Sequence, residues 1–249
     1  MKRYLISLLA ALGLVMISGC QAVTNLIPTQ TPYPTLTPYP TLTPYPTLTP
    51  LPSPTSTPEK KVLFQENDFS GVDSCFPVDS ASDVRRFAED GQYHIAVQQP
   101  VYYGWSMCDN NLRNFILDVD TTVIDGPENN SYAYGVIFRQ SSDTSGFYGF
   151  LISGDGYYTF SGIYPANQPP NDYFSLLSWA SIREVNQGKK TNHLRAVAVG
   201  DQFDLYVNGV LVGVVREGSL TSGPFGFIVE TFDDPNVHVA FDNLVITEP

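Results

Sequence analysis

The stretch NHLRAVAVGDQFDLYVNGVLVGVV, residues 192–215, decides the fold. Its middle, FDLYV, sets Phe203, Leu205 and Val207 against Asp204 and Tyr206. Successive side chains of a strand point to opposite faces, so a period of two puts the three apolar groups on one side of a sheet. Asn208-Gly209 follows at once, between two apolar runs, and supplies the positive φ angles that a tight hairpin needs. The same grammar recurs outward from there. FILDVD (115–120) places Phe115, Leu117 and Val119 opposite Asp118 and Asp120, YGVIFR (134–139) reads likewise, and Asp90-Gly91 and Asp155-Gly156 mark further hairpins.

Between residues 62 and 249 nearly every segment follows this period, which predicts about twelve short strands. No amphipathic helix stands out, although SDVRRFAED (82–90) could form a turn or two. The prediction is one all-β domain over 62–249, an antiparallel sandwich.

The N-terminal flank is of another kind. Lys2 and Arg3 precede the apolar run YLISLLAALGLVMIS and then Gly19-Cys20, a run too short to span a bilayer comfortably. Residues 1–19 therefore read as a secretion signal. MISGC (16–20) resembles the bacterial lipobox, which implies cleavage before Cys20 and its acylation with two or three chains. That number of chains gives durable anchoring, at roughly 0.8 kcal/mol per buried methylene. The resemblance thus implies a lipoprotein held at the outer side of a bacterial membrane. Residues 20–61 then form a linker built on TPYPTL repeats. In polyproline II three residues make a turn, so Tyr33, Leu36, Tyr39, Leu42, Tyr45, Leu48 and Leu51 share one edge. Such a tract cannot bury a core; it is expected to be a disordered, semi-rigid stalk. Over residues 28–58, at about 3.1 Å per residue, it could reach roughly 90 Å.

With Cys20 set aside, Cys75 and Cys108 remain in an exported chain, and they are predicted to form a disulfide. No Cys/His spacing suits zinc, the three histidines being scattered. All 25 acids except Glu59, and all 13 bases except Lys2, Arg3, Lys60 and Lys61, lie beyond residue 61. The body therefore holds 24 acids against 9 bases, a formal net charge of -15. Nucleic acid, whose binding draws on Lys and Arg at phosphates, is disfavoured as a partner.

The run 192–215, followed by GPFGFIVE and the closing VAFDNLVIT, resembles the concanavalin A-like lectin/glucanase jelly roll, and within it the laminin-G-like and 3-keto-disaccharide hydrolase-like domains. NDFS, DGQYHIAV, YGVIFRQ and FYGFLISGDGYYTF fit the same pattern in order. The architecture hosts lectins, glycosidases and adhesion modules, so three kinds of site follow from it. A glycosidase needs two carboxylates about 5 to 5.5 Å apart for retention or about 6.5 to 9.5 Å for inversion, and Asp118 with Asp120 is the best candidate pair. LDVDTTVID nevertheless lacks both glutamates of the Glu-x-Asp-x-(x)-Glu motif of laminarinase-type members, which argues against that catalysis. The 3-keto-disaccharide hydrolase alternative, like that of a structural or adhesion module without a small ligand, stays open. A lectin needs aromatic rings on one sheet, since sugars present C–H faces that stack on rings. Tyr103 and Trp105 in VYYGW, Tyr148, Tyr158 and Trp179 are candidates, with Arg139, opposite Phe138, to hold a hydroxyl or carboxylate. The resemblance also allows a structural calcium ion at Asp68 and Asp242. The reading favoured by these residues is a non-catalytic module for carbohydrate or another surface polymer, requiring no cofactor.

Overall fold

A computed structural model describes residues 60–69, 74–164 and 173–249 of the chain; residues 1–19, read above as a signal, Cys20 and all but the last two residues of the expected linker lie outside the described residues. Fifteen strands form where about twelve were expected, and no helix forms among the described residues. In chain order they are β1 (Val62–Glu66), β2 (Asp79–Ser80), β3 (Val84–Glu89), β4 (Gln92–Val97), β5 (Tyr102–Leu112), β6 (Phe115–Asp125), β7 (Tyr132–Phe138) and β8 (Phe147–Ser153), then β9 (Tyr157–Ile163), β10 (Tyr173–Ser181), β11 (Asn192–Val199), β12 (Gln202–Val207), β13 (Val210–Arg216), β14 (Gly223–Thr231) and β15 (Val237–Thr247).

One sheet runs β13-β12-β11-β6-β15-β4-β3-β2, with β1 pairing the far end of β15; the other runs β10-β9-β8-β7-β14-β5. Every pairing described is antiparallel. Phe115, Leu117 and Val119 of β6 and Phe203, Leu205 and Val207 of β12 are fully buried between the sheets, as their alternation predicts. The interior is rich in rings. Phe227 stacks on Phe241 with centroids 4.2 Å apart and on Phe76 at 4.8 Å, while Phe115, Phe138, Tyr148, Phe160 and Phe203 form a second nest. Contacts of this geometry contribute beyond the area they bury, about 0.5 to 1.5 kcal/mol each.

The turns follow their chemistry. Asp90-Gly91 and Asn208-Gly209 both take positive φ (50° and 79°, 50° and 81°), the backbone of a two-residue hairpin loop. Asp155-Gly156 departs from expectation. Only Gly156 is left-handed, the Gly156 N–H donates to the Ser153 carbonyl, and the connection is the three-residue loop Gly154 to Gly156. The SDVRRFAED segment forms no helix. It becomes β3, because Asp90-Gly91 folds it back on β4 and its arginine finds partners off the strand. Arg86 Nη1 meets both Asp79 oxygens at 2.8 and 2.9 Å, and Arg86 Nε donates to the Trp105 carbonyl at 2.7 Å.

Cys75 and Cys108 are bridged, with Cα atoms 4.9 Å apart across 33 positions of sequence. The bond ties the segment before β2 to β5, and closing a loop of that size is worth roughly 3 to 4 kcal/mol in the chain-entropy account.

The outer face of the six-stranded sheet is apolar at its centre. In β7, Tyr134, Val136 and Phe138 face the main core while Ala133 and Ile137 join Phe147, Leu151, Ile163 and Ile228 in a second apolar cluster. Register explains how such side chains pack on a pleated surface. Across the strands run Trp105, Ile228, Gly135 and Leu151 in one row and Met107, Gly226, Ile137 and Gly149 in the next; large residues and glycines alternate in the second row, and in the first Gly135 makes room between Ile228 and Leu151. A Cβ on Gly149 would stand 2.6 Å from Ile163 Cδ1 and 2.8 Å from Leu151 Cδ1, space those side chains already occupy.

Candidate functional site

β5 is an edge strand whose burial alternates, with Gly104, Ser106, Cys108 and Leu112 inside. The opposite parity carries Tyr103, Trp105, Met107, Asp109 and Asn111 along its outer side, at roughly 7 Å per step. Tyr103 and Trp105 are half-buried, with ring centroids 5.6 Å apart, and Trp105 leans on Phe147 at 6.3 Å. Met107, Asp109 and Asn111 continue this line into a cleft of about 980 Å³. Its other walls are the β7–β8 connection, Gln140 to Ser145, and the segment from Ser219 to Pro224 that enters β14. Hydroxyls and amides dominate: Asn111, Gln140, Ser141, Ser142, Thr144, Ser145, Ser219, Thr221 and Ser222, beside apolar Met107, Leu220 and Pro224. No Lys, Arg or His lines it.

Both loops are braced from inside. The Leu220 N–H donates to the Tyr148 hydroxyl oxygen at 2.9 Å, and that hydroxyl donates to Glu217 Oε1 at 3.4 Å. Burial pushes the Tyr148 phenol up to about 12, so it stays protonated. On the other wall, Asp143 Oδ1 accepts from the Ser145 N–H and hydroxyl at 3.0 and 2.7 Å, and the Ser141 N–H donates to the Gly146 carbonyl.

Several sequence-predicted site residues lie elsewhere. Arg139 is 0% exposed, which corrects its assignment to a ligand. Strand parity would point it outward, but its φ of 54° breaks the alternation and swings the side chain inward. There the guanidinium lies over the Phe203 ring at 4.7 Å and donates to the Arg113 and Leu220 carbonyls at 2.7 and 3.2 Å. Tyr148 and Tyr158 are also corrected: both rings are buried in the core, and the Tyr158 hydroxyl donates to the Val212 carbonyl, joining the sheets. Trp179 is 43% exposed on edge strand β10, and its ring meets Phe232 edge-on at 6.3 Å. Asp68 and Asp242 both adjoin the β3–β4 turn. Asp68 is exposed beside Gly91, and Asp242 accepts from Gln92 Nε2 at 3.1 Å and from the Asn243 N–H at 2.7 Å. Among the described residues no group of three or more His, Cys, Asp or Glu is arranged to hold a metal ion.

Asp118 and Asp120 share the outer face of β6, away from the cleft, and a histidine stands between them. His193 Nδ1 is 2.8 Å from Asp120 Oδ1 and Nε2 is 2.9 Å from Asp118 Oδ1, so both ring nitrogens donate only if the ring is an imidazolium. Arg195 Nε adds a second bond to Asp118 at 2.6 Å, and Asn243 donates to Asp120 at 2.9 Å. The Asp118 hydrogen bond, aided by Asp120 against the cost of burial, raises the His193 pKa. Burial alone would raise the Asp118 carboxyl, yet the bonds from His193 and Arg195 hold it below the usual range. His94 and His238 behave oppositely. They are bonded to each other at 2.9 Å, and burial lowers both, with mutual repulsion adding to the effect on His238.

The signs are therefore opposed. His193, raised on folding, adds stability that is complete below the unfolded value of about 6.5 and is lost as pH climbs through the folded pKa. His94 and His238, lowered on folding, favour the fold above about 6.5 and oppose it as pH falls. These are the only three histidines of the chain, so a proton NMR titration resolves them. One imidazole signal is expected to titrate above 6.5 and two below, and His193→Gln should delete the high one.

No protein-family model matches the chain, and no curated protein matches it in sequence. Solved structures match in shape. A Bacillus subtilis protein of unknown function with a galectin-like fold aligns with a TM-score of 0.55 at 10% identity, over 76% of this chain and 97% of that one. The laminarinase catalytic domain from Thermotoga maritima MSB8 aligns at 0.54 and 9% identity, over 77% and 99%. The catalytic domain of an endo-1,3-beta-glucanase (laminarinase) from Thermotoga petrophila RKU-1 aligns at 0.52 and 9%, over 76% and 98%. The fold is a concanavalin A-like jelly roll. Likeness at this identity fixes the architecture of the domain and leaves its chemistry to the site.

The rings were visible as a cluster in the sequence; Tyr103 and Trp105 share the outer side of β5 with Met107, where the cleft begins, and are not themselves among its lining residues. The Ser/Thr loops were not singled out. QSSDTSG and GSLTSG carry no motif, and their only signal was composition, which any surface turn shares.

Proposed function

We propose that this domain binds a carbohydrate polymer, without catalysis, along β5 and in the adjoining cleft, and that a proline-rich stalk acylated at Cys20 displays it outside a bacterial membrane. The observation that carries the binding reading is the continuity of half-buried rings with a cleft walled by hydroxyls and amides. Rings take the C–H faces of a sugar, and hydroxyl and amide groups exchange hydrogen bonds with its edges. The non-catalytic part is supported by Asp118 and Asp120 being bound to His193 outside the cleft. A glycan array with plant, bacterial and storage polysaccharides tests this. Binding is expected, and Trp105→Ala should weaken it by about tenfold, the equivalent of one stacked ring. A blank array would overturn the binding reading, and release of reducing sugar would overturn the non-catalytic one. The anchor has its own check: radiolabelled palmitate should be incorporated into the protein in bacteria and not into Cys20→Ala.

A further inference from the structure

The charge of the cleft is one-sided. Asp109 enters from β5 and Asp143 from the β7–β8 connection, and no cation lines the walls. The Asp109 carboxylate is exposed and, among the described residues, has no hydrogen-bond or ion-pair partner. Asp143 accepts from Ser141 and Ser145, donors that pull its carboxyl down to about 2, so it stays an anion in all but strong acid. A carboxylate offers about four acceptor sites, which leaves it capacity for a ligand. The nearby cations do not compensate. Arg139 is buried with both Nη groups on main-chain carbonyls, and Arg113 is not among the lining residues. Behind this stands a domain whose formal charge is -15 over residues 62–249, a field that repels anions and concentrates cations. The rings next in line on β5, Trp105 and Tyr103, are half-buried, and an aromatic ring attracts an ammonium group as well as a sugar ring.

We propose that the cleft selects a polysaccharide with free amino groups, a de-N-acetylated amino-sugar polymer, over neutral and anionic chains. This rests on the carbohydrate-binding reading above. The two carboxylates supply charge-assisted hydrogen bonds to the ammonium groups, and the hydroxyl walls serve the rest of each sugar.

Calorimetry on the purified protein near pH 6, where the amines are protonated, tests the selection with three probes: a glucosamine hexamer, an N-acetylglucosamine hexamer and a hyaluronan hexamer. The glucosamine hexamer should bind on the order of tenfold tighter than its acetylated counterpart, and hyaluronan not measurably. Raising the salt should shrink that ratio, and Asp109→Asn should lower it toward one, leaving the share that Asp143 supplies. Glu128→Gln removes an exposed acid from the loop before β7, remote from the cleft, and should leave the ratio as it was. An equal fall in both variants would mean adsorption to net charge, and would overturn the proposal. So would equal affinity for the two glucosamine probes. If the acetylated hexamer binds without such a preference and Trp105→Ala weakens it, the charge selection fails while the sugar site stands. If none of the three binds and the polysaccharide array is blank, both fail.

Discussion

Gly226→Ala is expected to destabilise the domain by about 3 kcal/mol or more, seen as a lower urea midpoint with an unchanged slope. Gly226 sits mid-strand in β14, between Met107 of β5 and Ile137 of β7. A Cβ there would overlap the Ser106 carbonyl oxygen and come within 3.0 Å of Met107 Cα, both backbone atoms that no rotamer change can move. The added methyl must therefore part β14 from β5, the strand that carries the disulfide, the ring stripe and one wall of the cleft. Gly218→Ala is the control. Its Cβ would meet only Asp201 Cβ, at an ordinary 3.7 Å, and should cost within about 0.5 kcal/mol. If the two variants melt alike, β14 and β5 are not in the register described here.

That glycine also marks where legibility in the sequence ended. Alternation identified the strands of the nine-stranded sheet because that sheet has one wet face: Asp118, Asp120, Asp204 and Tyr206 stand opposite buried neighbours. Strands β7 and β8 are buried on both sides, so the alternation read in YGVIFR implied a wet face that β7 does not have, and the side opposite the core is apolar too. Arg139 failed for a different reason. A single positive φ reverses the side that parity assigns, and nothing in YGVIFRQ announces a left-handed arginine. Cys75 with Cys108 needed only compartment and count, and succeeded. The His193 clasp was legible in hindsight from Asp118 and Asp120 lying i and i+2, but the register that brings β11 beside β6 is a long-range fact, set by the whole sheet.

Arg139→Ala is expected to cost about 3 to 5 kcal/mol, from the cavity left by a large buried side chain and from two main-chain carbonyls that lose their donors. The guanidinium has no carboxylate partner; its positive charge is met by two carbonyl oxygens and the face of Phe203, and Nε has no partner among the described residues. Burial lowers its pKa, yet an arginine remains charged in proteins, so the cation stays. Truncation removes a large side chain packed at 0% exposure and leaves the Arg113 and Leu220 carbonyls without their donors. Arg139→Met separates these losses. It refills most of the volume against Phe203 and relieves the buried charge, but it donates nothing, so stability should recover in part. Binding should not recover with it. Leu220 belongs to the cleft wall, held by Arg139 at its carbonyl and by Tyr148 at its N–H, and the methionine releases one of those two ties. A methionine variant with restored melting and weakened polysaccharide binding would assign Arg139 the role of positioning residue for the site it cannot reach. An alanine variant within about 1 kcal/mol of the parent would place the guanidinium in solvent, and with it would go the inward turn at residue 139 on which that wall depends.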